Sequence, residues 1–295
     1  MKTNMQSSPR EGTLRVENAE IYYREVGEGL PLIILHGGPD FDHNYLLPEM
    51  DRLADSLRVV YYDQRGRGKS GGSVRPEEIT MESEIEDLER LRRHLGWESM
   101  AILGHSWGGL LAMEYAIRHA DRLSHLILLN TVPASREDYL LFQRERAKNT
   151  PDDIARLAEM RATAPYQTGD RAADEAYYRV HFRAAIRRPE HLENLVSRLR
   201  ANVTPEGILR SRRIEEKLME QTWLVDGYDL IPKLEGFPVP TLIIHGDQDF
   251  CPAECAFHIA AAIPEARFGL LKGCGHFSYI DCPDQVFGEI RRFLM

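Results

Sequence analysis

The chain alternates short continuous apolar runs with segments whose apolar residues recur at helical spacing, and this order limits the possible folds more than any other feature. The apolar runs are residues 32–35, 58–62, 100–103 and 123–129. Unbroken apolar runs are typical of strands that are buried on both faces, as parallel strands are. The helical segments among them are residues 81–95 and 110–120. Strand–helix alternation of this kind predicts right-handed crossovers and an α/β fold with a mostly parallel central sheet and helices on both faces.

The alternation follows a hairpin and is interrupted once. Residues 13–26 contain two short runs rich in Val, Ile and Tyr, which predict an antiparallel pair of strands. From about Ser135 to Lys233 the pattern is helical and is divided by prolines and glycines. Strand and helix patterns then resume at residues 239–246, 253–263, 266–271 and 284–294. We therefore predict a core formed by residues 1–134 and 234–295, with residues 135–233 as a helical cap inserted before the final strands.

The charge and hydropathy of the chain exclude several classes of protein. The 295 residues include 37 Lys and Arg against 46 Asp and Glu, a net charge of −9. A protein this acidic repels phosphate backbones and anionic lipid, so we expect neither nucleic acid nor a membrane as a partner. No segment reaches the roughly 18 apolar residues of a transmembrane helix. The polar stretch 1–12 lacks the apolar region of a secretory signal, which predicts a cytoplasmic protein. The sequence does not predict the oligomeric state.

The four cysteines all lie in the final part of the chain, at Cys251, Cys255, Cys274 and Cys282. Because the cytoplasm is reducing, we expect free thiols that act as small packing residues. The spacing between the first two is not a CxxC pair, so a zinc site is not expected. Neither a metal nor a cofactor is predicted.

A G-x-S-x-G pattern lies at the end of the third apolar run, in residues 104–108. In open parallel sheets, ligands bind beyond the carboxyl ends of the strands, so reactive residues are most informative there. The pattern stands between a predicted strand and a predicted helix, which is the context of a nucleophile elbow. So tight a turn needs glycine two residues away on either side, and it presents the serine hydroxyl above a helix N-terminus. Ser106 is therefore the predicted nucleophile.

A serine hydroxyl is a poor nucleophile unless a histidine takes its proton and a carboxylate orients that histidine. In this type of fold the order along the chain is Ser, then Asp or Glu, then His. Asp249 and His276 follow the resumed strands in that order. Asp247 is the competing carboxylate, which we interpret as a residue that shapes the turn. Other histidines in helical, strand-like or polar segments are interpreted as structural, namely His94, His119, His125, His181 and His191.

Acyl transfer also needs hydrogen-bond donors directed at the oxyanion of the tetrahedral intermediate. The backbone N–H of Trp107, directly after the serine, is one candidate. The second is expected from the loop 36–39 (HGGP) after the first apolar run, where Gly38 is our choice because glycine lets the backbone approach a substrate closely. His36 is interpreted as a hydrogen-bonding residue that fixes this loop.

With these residues the chain resembles the α/β-hydrolase superfamily and, within it, the proline iminopeptidase-like serine hydrolases. The motifs that carry the resemblance are HGGP at 36–39, DQRGRGKS at 63–70, GHSWGG at 104–109, the turn at 246–249, and Gly275-His276. The resemblance covers nearly the whole chain outside the insertion. It implies the α/β-hydrolase fold, with a helical cap that closes over the active site and sets the choice of substrate.

The chain departs from the family pattern in two loops. The family commonly has HGGPG, and Asp40 replaces the last glycine here. Some peptidases of the group use a glutamate directly after the catalytic aspartate to hold the free α-amine of the substrate, and Phe250 stands at that position. One amine-binding carboxylate is therefore absent.

The cap glutamate motif of bacterial members is not recognisable in residues 135–233. Glu220 is our candidate for a substrate-binding residue, with Trp223 nearby. Glu215 and Glu216 are alternatives on the same predicted helix. A solvated helix face explains each of the three glutamates equally well.

These observations predict a cofactor-free serine hydrolase that acts through an acyl-enzyme on a small amide, ester or short peptide. Release of an N-terminal proline or another aminoacyl residue is the favoured case. A carboxylesterase whose cap aromatics select an acyl or alcohol group is the alternative, and those aromatics are Tyr139, Phe142, Tyr177, Tyr178, Phe182 and Trp223. A non-enzymatic small-molecule sensor is the alternative from another class, which the complete Ser, Asp and His set disfavours.

Overall fold

The computed structural model describes residues 8–201 and 203–295 of the chain. Most of the stretch used for the signal-sequence prediction, residues 1–7, lies outside the described residues. The described residues form a nine-stranded sheet. Its strands are β1 (Arg10–Val16), β2 (Ala19–Val26), β3 (Leu30–Leu35), β4 (Leu57–Tyr62), β5 (Gly71–Gly72), β6 (Met100–His105), β7 (Leu123–Leu129), β8 (Thr241–Gly246) and β9 (Arg267–Leu271).

The strand order is β1-β2-β4-β3-β6-β7-β8-β9, with the short β5 paired to β2. The pairs β1–β2 and β2–β4 are antiparallel, and every pair from β4–β3 to β8–β9 is parallel. The predicted hairpin and mostly parallel sheet are therefore confirmed. In β3, Ile33 and Leu35 belong to one hydrophobic cluster, and Leu32 and Ile34 belong to another. The continuous apolar run thus supplies a core on each face of the sheet.

Helices cover both of these faces. They are α1 (Met81–His94), α2 (Trp107–Arg118), α3 (Arg136–Asn149), α4 (Pro151–Arg161), α5 (Ala164–Gln167), α6 (Arg171–Phe182), α7 (Pro189–Leu199), α8 (Pro205–Met219), α9 (Ile231–Leu234), α10 (Ala253–Ala262), α11 (Ser278–Asp281) and α12 (Pro283–Leu294). Helices α1 and α2 supply one hydrophobic cluster, and α12 supplies the other. Across residues 8–201 and 203–295, no helix combines the length and apolar character needed to cross a membrane.

Helix α2 begins at Trp107, three residues before the start that the apolar spacing predicts. The reason is close packing of its first turn against the strands. A Cβ atom on Gly108 would lie 2.3 Å from the carbonyl oxygen of Leu35, and one on Gly109 would lie 2.2 Å from Oγ1 of Thr131. The two glycines are therefore helical residues that let the helix approach β3 and the end of β7, rather than a linker before the helix.

Helices α3 to α9 lie between β7 and β8, where the sequence predicts an insertion. The two ends of this segment pair with each other. Ser135 and Asp229 form an antiparallel bridge, and the Arg136 N–H donates to the Tyr228 carbonyl oxygen at 2.8 Å. The chain therefore leaves and re-enters the sheet at one place. The division into a core and a cap of residues 135–233 stays a prediction, and we call residues 135–233 the insertion below.

The prediction of four free thiols is wrong for two of them. Cys274 and Cys282 form a disulfide, while Cys251 and Cys255 are buried free thiols. The chain turns back through α11 after β9, which brings the two bonded cysteines to a Cα separation of 6.0 Å. The spacing of the cysteines along the sequence contains no sign of this turn. The disulfide closes the loop that carries His276.

Candidate active site

Ser106 lies between β6 and α2 in a backbone conformation that non-glycine residues rarely adopt, with φ 57° and ψ −123°. The surrounding backbone holds this conformation in place. The Ser106 N–H donates to the Leu129 carbonyl oxygen at 3.2 Å, and a Cβ on Gly104 would lie 2.3 Å from the Gly108 oxygen. Strain of this kind persists only where neighbouring contacts over-determine it. The turn is a nucleophile elbow in the strand–turn–helix context that the motif predicts.

His276 follows β9 and brings its Nε2 atom to 2.9 Å from Oγ of Ser106. Its backbone N–H donates to the Ala185 carbonyl oxygen in the insertion at 2.7 Å. The preceding Gly275 leaves room for this approach, because a Cβ there would lie 2.3 Å from the same oxygen. The ring of Phe250 packs edge-on against the imidazole, with a centroid separation of 4.5 Å. The insertion and the Phe250 ring thus both help to place the histidine.

Asp249 faces the other side of the imidazole, with both carboxylate oxygens 3.0 Å from Nδ1 of His276. Its side chain is completely buried and accepts a further hydrogen bond from the Cys251 N–H at 2.9 Å. Burial by itself raises the pKa of Asp249, but interactions with the neighbouring His276 and His245 and the hydrogen bonds to the carboxylate lower it overall. An ionised carboxylate keeps the proton of His276 on Nδ1 and leaves Nε2 free to accept the serine proton. Asp247 is exposed and accepts the Gly273 N–H, so it does shape the turn.

Asn130 is a site residue that the sequence analysis missed. It follows β7 with φ 45°, is fully buried, and donates from Nδ2 to Oδ2 of Asp249 at 2.9 Å and to the Gly275 carbonyl oxygen at 3.1 Å. Its Oδ1 accepts the hydroxyl of Ser278. Asn130 therefore joins the carboxylate to both sides of the histidine. A polar residue directly after a buried strand was the available signal, and asparagine also tolerates a positive φ.

A second missed connection links the loop after β3 to the histidine loop. The Gly37 N–H donates to the Tyr45 hydroxyl at 2.7 Å, and that hydroxyl bonds to Nδ1 of His105 at 2.7 Å. Nε2 of His105 bonds to the His276 carbonyl oxygen at 3.0 Å. Burial lowers the pKa of His105 to about 3, so the ring is neutral and can accept at Nδ1 while it donates at Nε2. The chain of hydrogen bonds is buried from end to end.

Of the predicted oxyanion donors, Trp107 directly follows Ser106, and Gly38 belongs to the loop after β3. This loop lies against the serine, since a Cβ on Gly37 would lie 2.9 Å from the Ser106 Cβ. The Gly37 N–H is already occupied by Tyr45, whereas the Gly38 N–H has no hydrogen-bond acceptor within the part of the chain that the structure describes. Trp107 is the first residue of α2, so its N–H has no acceptor in the helix. Both N–H groups are available to a ligand.

His36 fixes the loop that carries Gly38, as the sequence analysis predicts. Its Nε2 accepts the Gln64 N–H at 3.0 Å, and the Gln64 side chain donates back to the His36 carbonyl oxygen at 2.8 Å. Burial and the nearby Arg67 charge lower the pKa of His36 to about 3, which keeps the ring neutral. The histidine therefore ties the loop after β3 to the loop after β4.

The insertion is also bonded to the loop after β3, through Asp40. Arg200 is 1% exposed and donates to Oδ2 of Asp40 at 2.5 Å, to the Asp40 carbonyl oxygen at 2.9 Å, and to Oδ2 of Asp174 at 2.6 Å. The Tyr178 hydroxyl donates to the same Asp40 oxygen at 2.6 Å. Asp40, which replaces a glycine of the family motif, is therefore the anchor that holds α6 and the end of α7 beside Gly38.

The three glutamates near the end of α8 differ in their surroundings. Glu220 is 49% exposed and pairs with Lys217, and Glu216 is exposed and pairs with Arg213 at 2.8 Å. Glu215 is half-buried, and none of the residues that the structure describes forms a hydrogen bond or ion pair with it. Burial and the nearby Asp40 carboxylate raise the pKa of Glu215 to about 8. The structure thus gives Glu220 a surface partner and leaves Glu215 without one.

Trp223 is buried and forms part of an aromatic wall beside the elbow. Its ring meets Trp107 edge-on at 5.4 Å and stacks on Tyr139 at 4.7 Å. Its Nε1 donates to the Pro133 carbonyl oxygen at 2.9 Å. The indole N–H is therefore satisfied within the protein, and the residue offers a ligand only its apolar surface.

A cavity of about 240 Å³ opens next to Asp249. Its lining comes from the end of α3, the segment after α6 and the turn after β8, and consists of Glu145, Arg146, Asn149, Thr150, Ala184, Asp249, Phe250 and Pro252.

Three buried residues offer metal-ligand atoms within 4.8 Å of one another, namely Asp42, His43 and Asp63. His43 bonds to Asp63 through its ring at 2.6 Å and through its backbone N–H at 3.0 Å. These bonds make His43 and Asp63 a junction between the loops after β3 and β4, and we assign no metal to the cluster.

The comparisons with known proteins agree with this site and fold. The sequence pattern of the alpha/beta hydrolase fold matches residues 31–283. The chain belongs to this family, and it is a hydrolase with a Ser–His–Asp arrangement. A proline iminopeptidase of Lactobacillus helveticus (strain DPC 4571) is 30% identical over 306 residues, which cover 96% of this chain and 97% of that protein. Within the family, the chain is therefore proline iminopeptidase-like.

Two solved structures share the fold. The proline iminopeptidase of Mycobacterium smegmatis superimposes with a TM-score of 0.74 at 24% identity, over 97% of each chain. The enol-lactonase of Burkholderia xenovorans LB400 has a TM-score of 0.66 at 25% identity, over 96% of this chain and 99% of that chain. A proline iminopeptidase and an enol-lactonase therefore both share the fold of this chain.

Proposed function

We propose that this protein is a serine aminopeptidase that releases an N-terminal residue, with proline as the favoured case, from short peptides and related small amides. The arrangement of Ser106, His276 and Asp249 at the strand ends carries the proposal, since Nε2 lies 2.9 Å from the serine Oγ and Nδ1 lies 3.0 Å from the carboxylate. The full-length similarity to proline iminopeptidases supports the choice of substrate.

In the proposed reaction, Oγ of Ser106 attacks the carbonyl carbon while Nε2 of His276 takes the hydroxyl proton. Asp249 orients the imidazole and stabilises its charged form. The N–H groups of Gly38 and Trp107 donate to the oxyanion of the tetrahedral intermediate. His276 then gives the proton to the leaving amine, and a water molecule releases the acyl group by the same steps in reverse. The chain needs no cofactor for this chemistry.

The proposal assigns the substrate's ammonium group to Glu215 rather than to Glu220. Glu215 has no hydrogen-bond or ion-pair partner among the described residues, and it lies within electrostatic reach of Asp40, two residues from Gly38, and of the cations Arg200 and Arg161. Glu220 already pairs with Lys217 at the exposed end of α8. An incoming ammonium would stabilise the charged form of Glu215, which burial alone disfavours.

A carboxylesterase is the second candidate, and one observation favours it. Phe250 occupies the position where some amine-binding relatives carry a glutamate, and its ring contacts Phe142, Phe182 and His276. An apolar acyl or alcohol group would suit these rings better than an ammonium.

Two matched chromogenic panels at neutral pH test the proposal, one of aminoacyl p-nitroanilides led by proline and one of short p-nitrophenyl esters. Prolyl anilide turnover that is lost with Ser106→Ala and with N-acetylation of the substrate would support the aminopeptidase. Ester turnover alone would favour the carboxylesterase. Absence of Ser106-dependent turnover in both panels would contradict both candidates.

The partners expected from this proposal are small molecules and short peptides. A cytoplasmic location, and the lack of nucleic-acid and membrane partners, stay predictions from the sequence.

A further inference from the structure

Arg146 lies in the last turn of α3 and reaches toward the triad. Its guanidinium carbon is 5.5 Å from the centroid of the Phe250 ring, and that ring packs on His276 with a centroid separation of 4.5 Å. Arg146 also lines the cavity of about 240 Å³ that Asp249 and Phe250 border. A single aromatic ring therefore separates its charge from the histidine that bonds to Ser106.

The one hydrogen bond that the Arg146 side chain makes within the described residues goes to a neutral partner. Nη2 donates to Nδ1 of His181 at 3.0 Å. Burial and the charges of Arg146 and Arg161 lower the pKa of His181 well below its ordinary value, so this ring accepts the bond without supplying a negative charge. Among residues 8–201 and 203–295, no carboxylate lies within ion-pair distance of Arg146. The adjacent Glu145 pairs with Lys148 instead, at 3.5 Å.

A partly buried cation without a counter-charge is unfavourable unless something else stabilises it. The face of Phe250 and the C-terminal end of α3 each attract the guanidinium. Burial still lowers the pKa of Arg146, so these contacts do not fully replace the lost hydration. Nε and Nη1 make no hydrogen bond in the described part of the chain, and the polar side chains of Asn149 and Thr150 line the same cavity. The site therefore offers a planar cation with unused donors to an anion in the cavity.

We propose that Arg146 binds a carboxylate group of the substrate in this cavity, so that the enzyme prefers substrates with a carboxylate close to the scissile bond. A guanidinium matches a carboxylate in geometry as well as in charge. The proposal rests on the proposed function for the reaction at Ser106. Combined with an ammonium at Glu215, it favours free dipeptides, which carry both charges, over longer or amidated peptides.

The test compares two pairs of substrates that differ in one carboxylate. Pro-Ala against Pro-Ala amide places the carboxylate on the leaving group, and p-nitrophenyl hemisuccinate against p-nitrophenyl butyrate places it on the acyl group. We expect wild-type kcat/KM to favour the carboxylate member in at least one pair by about 10-fold or more. Arg146→Gln should lower kcat/KM for that member about 10- to 100-fold, and should leave its neutral partner within about twofold. Arg146→Lys, which keeps the charge but loses the planar fork, should fall in between.

Arg144→Gln is the matched control, because Arg144 is an exposed residue of the same helix and does not line the cavity. It should leave the preference unchanged. Equal rates for both members of both pairs in wild type would overturn the proposal, and this result does not depend on any variant folding. An equal loss on both members in Arg146→Gln would overturn it as well.

Failure of the proposed function is distinguishable from failure of this inference. If neither pair is hydrolysed in a Ser106-dependent way, the same pairs are titrated against Ser106→Ala by calorimetry. If a carboxylate member binds more tightly than its neutral partner, and if Ser106→Ala/Arg146→Gln loses this difference, the carboxylate subsite is supported and the proposed reaction is rejected. Equal binding of both members in both pairs would overturn the subsite.

Discussion

The polar groups at the strand ends and two charged residues of the insertion differ in how completely the protein supplies them with hydrogen-bond and ion-pair partners. Asp249 accepts hydrogen bonds from His276, Asn130 and the Cys251 N–H. Arg146 and Glu215, by contrast, face no opposite charge at ion-pair distance among the described residues. Groups that carry out the reaction must be held in place before the substrate arrives, whereas groups that recognise a charged substrate must keep their charge available. Under the two proposals above, the comparison separates the groups for the reaction from those for recognition of the substrate.

The insertion also contains a charge that is fully satisfied. Arg200 is buried between Asp40 and Asp174, and it joins the insertion to the loop that carries Gly38. Its surroundings resemble those of Asp249 more than those of Arg146. Position in the insertion alone thus does not decide whether a charged residue serves structure or recognition.

The largest effect is expected from Ser106→Ala, which removes the proposed nucleophile from the polar groups at the strand ends. Its kcat on the best substrate of either panel should fall about 10⁴- to 10⁶-fold, because the histidine and carboxylate cannot act without it. Circular dichroism should show an unchanged fold. Retention of more than a few per cent of wild-type kcat would show that the reaction takes place elsewhere.

Asp249→Asn tests which carboxylate orients the histidine. The amide can donate to Nδ1 of His276 and so favours the wrong tautomer, which should lower kcat about 10⁴-fold. Asp247→Asn is the matched control in the same turn, and it should change kcat less than about threefold since the Asp247 side chain bonds only to the exposed Gly273 N–H within the described chain. Steady-state kinetics on both variants decide the assignment. Similar losses of kcat in the two variants would reject Asp249 as the carboxylate that orients His276.

Arg200→Met tests how much the buried ion pairs of Arg200 contribute to stability. It leaves Asp40 buried without its ion-pair partner and Asp174 with Arg212 alone, so we expect the free energy of unfolding to fall by about 3–5 kcal/mol. Arg179→Met removes an exposed pair with Glu193 and should cost less than about 1 kcal/mol. Urea titration followed by fluorescence measures both. If Arg200→Met lowers the free energy of unfolding no more than Arg179→Met does, the expected difference between the buried and the exposed ion pair is contradicted.

Glu215→Gln is expected to have the smallest effect and the clearest pH dependence. The pKa of Glu215 is about 8, so below that pH most molecules carry a neutral carboxyl that binds an ammonium poorly. The ratio of kcat/KM for prolyl anilide to that for a neutral ester should therefore rise with pH up to about 8. It should fall above that value, because an α-amino group loses its proton at about pH 7.7–8.0.

The ratio removes the pH dependence that the two substrates share through the triad. In Glu215→Gln this ratio should no longer rise toward pH 8. At pH 8 it should be about 10-fold lower than in wild type, as expected for the loss of one charged hydrogen bond. Glu216→Gln is the matched control on the exposed face of α8, where the wild-type residue pairs with Arg213. A wild-type profile in Glu215→Gln would reject Glu215 as the amine-binding residue.

The amino-acid sequence was sufficient to predict the order of strands and helices along the chain, the elbow around Ser106 and the succession of Ser, Asp and His. These features are local. An apolar run needs burial wherever it lies, and the steric limits of a strand–turn–helix elbow require glycine at fixed distances from the serine. Their identification therefore needed no knowledge of distant contacts.

Tertiary structure alone decided the partners of each polar group. Asn130 reaches Asp249 across 119 positions of the chain, and the bond from Tyr45 to His105 spans 60. Helical spacing placed Glu215 and Glu220 on one helix, but it does not show what lies opposite each of them. A side chain's charge state and availability depend on the groups around it, and in this protein distant segments bring those groups together.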